Sequence, residues 1–311
     1  MKDKIKTIFA WMCMQFQKVT FKLSQIIHTN KEEDSKLYES PTTTKLLNVN
    51  IQTSNFNAFF ALINLLFRDT LTKIAFTALP EIINACLTIY IYGYLLEYVQ
   101  ITTTIPYVIY VIAFHLSYSL IRGSYLCSCF AMLTMIDSRF IQQILTSPLK
   151  TGTIILCLLI NSCFRSIIPV ICYFCISLFV FKGLSTNVFT LDIFNIYGKI
   201  ILVGLLIIFL FSSIGIIVAV LTRDVQKASA VTNFIITPLS YLGGGLFDIS
   251  HAPSFIKFAA IFNPIFYCNA MLRQCFTGEA ISIVTVGVFL VLITVAFMLA
   301  SMAFNVLYDE Q

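Results

Sequence analysis

Glu81, Arg122 and Arg165 are charged side chains inside long apolar runs of this 311-residue chain. A charge at the middle of a membrane helix costs about 2.5–3.5 kcal/mol on insertion scales, so each needs a partner or a task. Glu81 falls just inside the inner start of the first apolar run. Arg122 lies well into the second run, which returns in the opposite direction, so both reach a similar depth near the inner face. This placement predicts a Glu81–Arg122 ion pair. For Arg165, in the third run, two readings stay open. It faces an internal cavity and attracts anionic cargo, or it snorkels or contacts a structural carbonyl.

The other reactive side chains are not grouped for catalysis. His28, His115 and His251 are too scattered to form a metal set. Cys172 and Cys175 stand one turn apart within an apolar helix, away from any redox loop, and Cys127 and Cys129 point to different helix faces. Cysteine in such runs behaves as a small hydrophobe. Only Cys268 and Cys275 fall near an oxidising face, where a disulfide is the alternative to free thiols. HExxH, GxSxG and a cavity-facing acidic dyad are absent from the sequence. So is GxxxxGK[ST], the loop whose backbone amides cradle nucleotide phosphates. The chain is therefore expected to bind no metal and no cofactor and to hydrolyse no nucleotide itself.

The elements carrying these residues are membrane helices. The chain is 58% hydrophobic and 11% charged, with mean hydropathy +0.88. Soluble domains carry about 25% charged residues. The expected fold is an all-α polytopic membrane protein with six transmembrane helices, near 76–96, 106–132, 151–181, 196–221, 229–247 and 281–304. Each can cross about 30 Å of hydrocarbon at about 1.5 Å per residue. Lysine and arginine crowd before the first span, with Arg139 and Lys150 after the second and Arg223 and Lys227 after the fourth. By the positive-inside rule both termini are cytoplasmic. The net charge of +5 comes largely from that N-terminal crowding, so it is no sign of nucleic-acid binding.

Residues 1–27 carry an apolar stripe, Ile5, Ile8, Phe9, Met12, Phe16, Val19, Leu23 and Ile26, and read as an amphipathic membrane-surface helix. A signal peptide is the weaker reading, because no small-residue cleavage site follows. Residues 28–54 form a polar linker. Residues 55–73 form a second amphipathic helix, and a short tail, 305–311, ends the chain.

Two segments between spans are informative. The first is Asp137, Ser138, Arg139, Phe140, Ile141, Gln142, Gln143, Ile144, Leu145, Thr146, Ser147 and Pro148. It predicts a short helix over about 137–147, stopped by Ser147-Pro148, with Phe140, Ile144 and Leu145 on one face. The second is TPLSYLGGGLFDISHAPSFIKFAAIFNPIFYCNAMLRQCFTG, residues 237–278. Pro238, the glycines Gly243, Gly244 and Gly245, and Asn263-Pro264 break the helix repeatedly. Such backbone beside a span is tolerated where protein or a water-filled cavity covers it. Tyr241, Phe247 and Tyr267 flank the breaks. They form either a hydrophobic gate or ordinary packing.

In order and spacing, the pieces TPLSYLGG, NPIFY and LRxxFTG resemble the segment between the fifth and sixth helices of ABC type-2 exporter permeases. The resemblance covers most of residues 55–304. It implies an interface helix at 55–73 and a six-span permease domain. It also implies a broken, re-entrant outer insertion at about 248–278 along the cargo path. It gives the 137–147 segment the role of a coupling helix that docks on the ATPase, with Gln142-Gln143 where the family commonly has two glutamates. A family arginine falls near Arg165. The function implied is the permease subunit of an exporter in a bacterial inner membrane. ATP and Mg would be used by a separate ABC ATPase subunit, with two permease halves, most economically a homodimer, and two ATPase subunits. The form of the first piece is nearest to permeases of drug or unspecified export, with polysaccharide exporters as relatives. Two other classes stay open, a secondary ion-coupled carrier and a non-transporting membrane assembly subunit. Against the carrier, no repeat relates the two halves and few acids lie at mid-span.

Overall fold

In a computed structural model of the chain, residues 55–72, 74–88, 90–91, 107–138, 141, 144, 149–183, 192–246 and 252–309 are described. The chain divides into two units, 1–52 and 53–311, and the described residues all belong to the second. The amphipathic helix expected at 1–27 and the linker at 28–54 lie outside them.

Every regular element among the described residues is helical. In chain order they are α1 (Asn55–Thr72), α2 (Ile74–Thr88), α3 (Tyr107–Asp137), α4 (Thr151–Gly183) and α5 (Asp192–Thr222). Then come α6 (Val225–Val231), a π turn (Thr232–Ile236), α7 (Thr237–Leu242), α8 (Ser254–Phe262), α9 (Pro264–Thr277) and α10 (Ile283–Asp309). Among the described residues, four stretches are long and apolar enough to cross a membrane: Tyr110–Asp137, Thr151–Tyr173, Ile196–Thr222 and Ile283–Leu307. A fifth is reached only if the α8–α9 pair, bent by 90°, counts as one.

The described helices do not by themselves present all six expected spans. Of the first, 76–96, the described part holds a 15-residue helix with Pro80 inside it, and residues 89 and 92–106 lie outside the described part. The fifth, 229–247, runs as helix to Leu242 through a π turn. Proline at 238 has no N–H for the helix ladder, and its ring crowds the carbonyl four residues back. The chain answers with a wider turn just before it, in which the Thr237 amide donates to the Thr232 carbonyl.

Packing centres on α3, which lies against α4, α5 and α9. Small polar residues set the α3–α5 crossing. Ser128 Oγ donates to the Ser212 carbonyl at 2.9 Å, and Ser212 Oγ to the Ser124 carbonyl at 3.4 Å. A Cβ on Gly215 would overlap Ser128 Oγ and the Tyr125 carbonyl oxygen. In lipid, close backbone approach and interhelical hydrogen bonds replace the hydrophobic drive available in water. Gly204 meets Leu120 further along the same crossing, so α3 and α5 run parallel. The segment 225–242 runs antiparallel to them. Tyr125, fully buried, donates its hydroxyl to the Ala228 carbonyl at 3.0 Å, and Tyr118 shares a 3.1 Å hydrogen bond with Thr237 Oγ1. These two tyrosines of α3 hold the segment on either side of the π turn. Asp224 caps the start of α6, accepting from the Gln226 and Lys227 amides.

α10 shows most of its side chains outward, Ile283, Val284, Val291, Met298 and Met302 among them. Its inner end is tied to α4, where Thr151 Oγ1 donates to Asn305 Oδ1 at 3.0 Å. α1 lies against α4 through a 2.8 Å hydrogen bond from Thr70 Oγ1 to Asn161 Oδ1, and through Phe67 edge-on to Phe164.

Candidate functional site

The broken segment after α5 builds the most structured polar seam of the molecule. α7 ends at Leu242, leaving carbonyls without the amides of a further turn. Gly243 closes the last turn onto Leu239. Gly244 adopts φ 63°, the left-handed region that glycine enters without strain. Gly245 then passes so close to the ring of Phe114 on α3 that a Cβ there would overlap it. The run of three glycines thus has two separate causes, a left-handed turn and a close approach.

Two asparagines from the returning helices meet these loose ends. Asn263 stands at the 90° corner between α8 and α9. Its Nδ2 donates to the Leu239 carbonyl at 2.6 Å, while its Oδ1 accepts from the Ile265 amide at 3.0 Å and caps α9. Asn269, 1% exposed, donates from Nδ2 to the Gly243 carbonyl at 3.1 Å. A Cβ on Gly243 would come within 3.2 Å of that same amide nitrogen, a tight contact that would press on it. α9 is held in turn against α3 by Arg273, whose guanidinium lies 4.8 Å from the Tyr110 ring centre. Pro264 occupies the first turn of α9, where its missing N–H is harmless.

Of the aromatic residues expected at this site, Tyr241 is half exposed, with its ring 5.5 Å from that of Phe114. Tyr267 donates its hydroxyl to the Ile261 carbonyl at 3.0 Å and stacks edge-on to Phe266. Phe247 lies outside the described residues. Pro238 is exposed, and Gly243, Gly244 and Gly245 are buried. Leu239 and Gly243 therefore meet Asn263 and Asn269 along one seam, while Tyr241 and Gly245 lie against Phe114. The expected list did not include Asn269 or Phe114. Asn269, a lone amide in an otherwise apolar run, was a signal available in the sequence. Phe114 carried none, because its partner is 131 positions away.

The inner loop is described in part. Asp137 ends α3 and is exposed. Ile141 and Ile144 are 3% and 5% exposed and belong to the hydrophobic core, so they anchor the loop to its own protomer. Arg139, Phe140, Gln142, Gln143, Leu145, Ser147 and Pro148 lie outside the described residues. So does the side chain of Glu81, while Arg122 is exposed on α3. Arg165 is half-buried beside Cys127, and the same thiol lies within electrostatic reach of Asp69 on α1. Cys268 and Cys275 are buried free thiols. They sit two turns apart on α9, about 10 Å by helix rise, beyond the Cα separation of about 7 Å that a disulfide allows. The disulfide alternative is thereby removed.

Long apolar helices around a broken and internally capped segment define a multi-pass membrane protein. The sequence matches the family model of the ABC-2 type transporter over residues 57–277, and the chain belongs to that family. It is similar to the inner membrane transport permease YadH of Escherichia coli (strain K12), at 35% identity over 91 residues. The protein of that name from Shigella flexneri matches to the same extent. The match covers 29% of this chain and spans only 36% of the length of those relatives.

Proposed function

We propose that this chain is the permease subunit of an ATP-driven exporter in a bacterial inner membrane. Six crossings with both termini cytoplasmic make one half of the pathway, and a second copy completes it. A separate ABC ATPase subunit binds ATP and Mg on each half and docks at residues 137–147. Phe140 and Leu145 are the apolar contacts, and Asp137, Arg139, Gln142 and Gln143 the polar rim. Ser147-Pro148 ends the docking helix. Closure of the ATPase pair pushes this loop. Because Ile141 and Ile144 are seated in the core, the push reaches α3 and α4. α3 carries it outward through Tyr125 and Tyr118 to the helix that ends in the glycine turn. Pro238, Tyr241, the glycines, Phe247, Pro264, Tyr267 and Arg165 line the path, and a Glu81–Arg122 pair ties the first two spans.

The observation that carries this reading is the clamped outer seam. A helix that stops at Gly243 and is recapped by Asn263 and Asn269 is irregular backbone covered by protein, which supports a path at this end of the bundle.

Capture from native membranes tests it. Wild-type protein, tagged and extracted in mild detergent, is expected to bring down a soluble ABC ATPase. A Phe140→Asp, Leu145→Asp double variant present in the membrane at wild-type level should lose it. Failure to recover any ATPase with wild type across several detergents would remove the docking assignment.

A further inference from the structure

One groove lies away from the outer seam. It holds about 470 Å³ between α1 and α4, and it is lined by Phe60, Ala61, Ile63, Asn64 and Phe67 from one side and Phe164 from the other. The wall is apolar except for Asn64, and it is open at the protein surface. Phe60 is 52% exposed and Phe164 43%. Exposed aromatic rings facing such an opening are what a lipid chain, rather than a water-borne solute, would meet.

The end of α1 beside this groove is charged. Arg68 is exposed one turn beyond Asn64. Arg165, half-buried, and Asp69 both lie within electrostatic reach of the Cys127 thiol. Two cations and one anion leave that end net positive. α1 carries Asn57, Asn64, Arg68 and Asp69, so it belongs at the membrane surface rather than in hydrocarbon. Its bond from Thr70 to Asn161 holds it against α4. Along α1 the apolar wall from Phe60 to Phe67 is followed directly by the exposed cation at Arg68, the order of acyl chain and headgroup in a phospholipid.

The geometry points to a bound anionic phospholipid of the leaflet on which α1 lies, one acyl chain in the Phe60–Phe67–Phe164 groove and the phosphate at Arg68. The site needs membrane insertion only, so it stands or falls separately from the coupling to an ATPase. Charge complementarity selects this occupant over a neutral lipid, since one basic side chain near the surface favours an anionic headgroup by about five-fold.

Spin-labelled lipids test the site on the full-length protein in phosphatidylcholine vesicles. Labelled phosphatidylglycerol should associate about five-fold more strongly than labelled phosphatidylcholine. Arg68→Gln should lower that preference about five-fold relative to wild type, and Arg68→Lys should keep most of it. Phe164→Ala should shrink the motion-restricted phosphatidylglycerol fraction. Excess inorganic phosphate should not displace the lipid. Equal association of both lipids with wild type, a preference untouched by Arg68→Gln, a restricted fraction untouched by Phe164→Ala, or displacement by phosphate alone would each overturn the assignment.

Discussion

Gly215→Val is expected to unseat the α3–α5 crossing and to produce the largest loss of stability of any single change considered. At this point the two helices touch through backbone. A Cβ on Gly215 would already overlap the Tyr125 carbonyl and Ser128 Oγ, and neither has a flexible end that can swing aside. Overpacking of this kind costs about 1–3 kcal/mol or more. Parting the helices also stretches the 2.9 Å bond from Ser128 to Ser212, an interhelical bond worth about 1 kcal/mol. The expected total is about 2–4 kcal/mol. It is read as a lowered thermal midpoint and a loss of the monodisperse fraction in detergent. Gly287→Val is the control, because nothing stands within 4 Å of a Cβ there. Equal behaviour of the two variants would mean that α3 and α5 do not approach as closely as described.

The second large effect is expected at the outer seam. Asn263→Ala removes two bonds, the donation to Leu239 and the cap on α9. Asn269→Ala removes the donation to Gly243. Asn269→Ala leaves the Gly243 carbonyl without that donor at a cost of about 1–3 kcal/mol; at position 263 the Leu239 carbonyl keeps the Gly243 amide, so the lost bond and the lost cap cost about 1 kcal/mol each. Because α3, α4 and α5 keep their own contacts, the damage should stay local. The chain between α7 and α9 should become sensitive to added protease while the inner helices remain protected. Asn269→Asp separates donation from shape. It keeps the volume but, once ionised, offers the Gly243 carbonyl no hydrogen, so it should be worse than Asn269→Ala. Protease resistance of Asn269→Asp equal to wild type would show that the seam does not depend on that bond.

Much of this architecture could be read from residue types, for reasons that differ by element. The spans near 106–132, 151–181, 196–221 and 281–304 followed from length and apolarity, because a membrane imposes both. The corner between α8 and α9 followed from Asn263-Pro264. Proline supplies the first helical turn and asparagine the cap, so the two letters contain their own geometry. The glycine turn was equally visible, although not the reason for its third member, since Gly245 answers to Phe114. The irregularity of the fifth span was signalled by Pro238. Where the extra turn would fall was not, because Thr232–Ile236 contains no breaker of its own. The importance of Gly215, Ser128 and Ser212 was also hidden. Small residues are common in such helices, and only a partner more than eighty positions away distinguishes these. The core placement of Ile141 and Ile144 fell in the same class. A short amphipathic helix shows which side is apolar, not whether that side meets its own protein or another.

The π turn has a consequence for how this chain can vary in length. Its rings close over one residue more than those of an α-helix. A chain one residue shorter between Val231 and Thr237 is expected to close there as an ordinary turn, with Tyr241, Gly243 and Gly245 still on the sides they occupy. The same loss within Thr237–Leu242 would rotate every later residue by about 100° and carry Gly245 away from Phe114. Along this helix, insertions and deletions have one harmless address, and it lies just ahead of the proline.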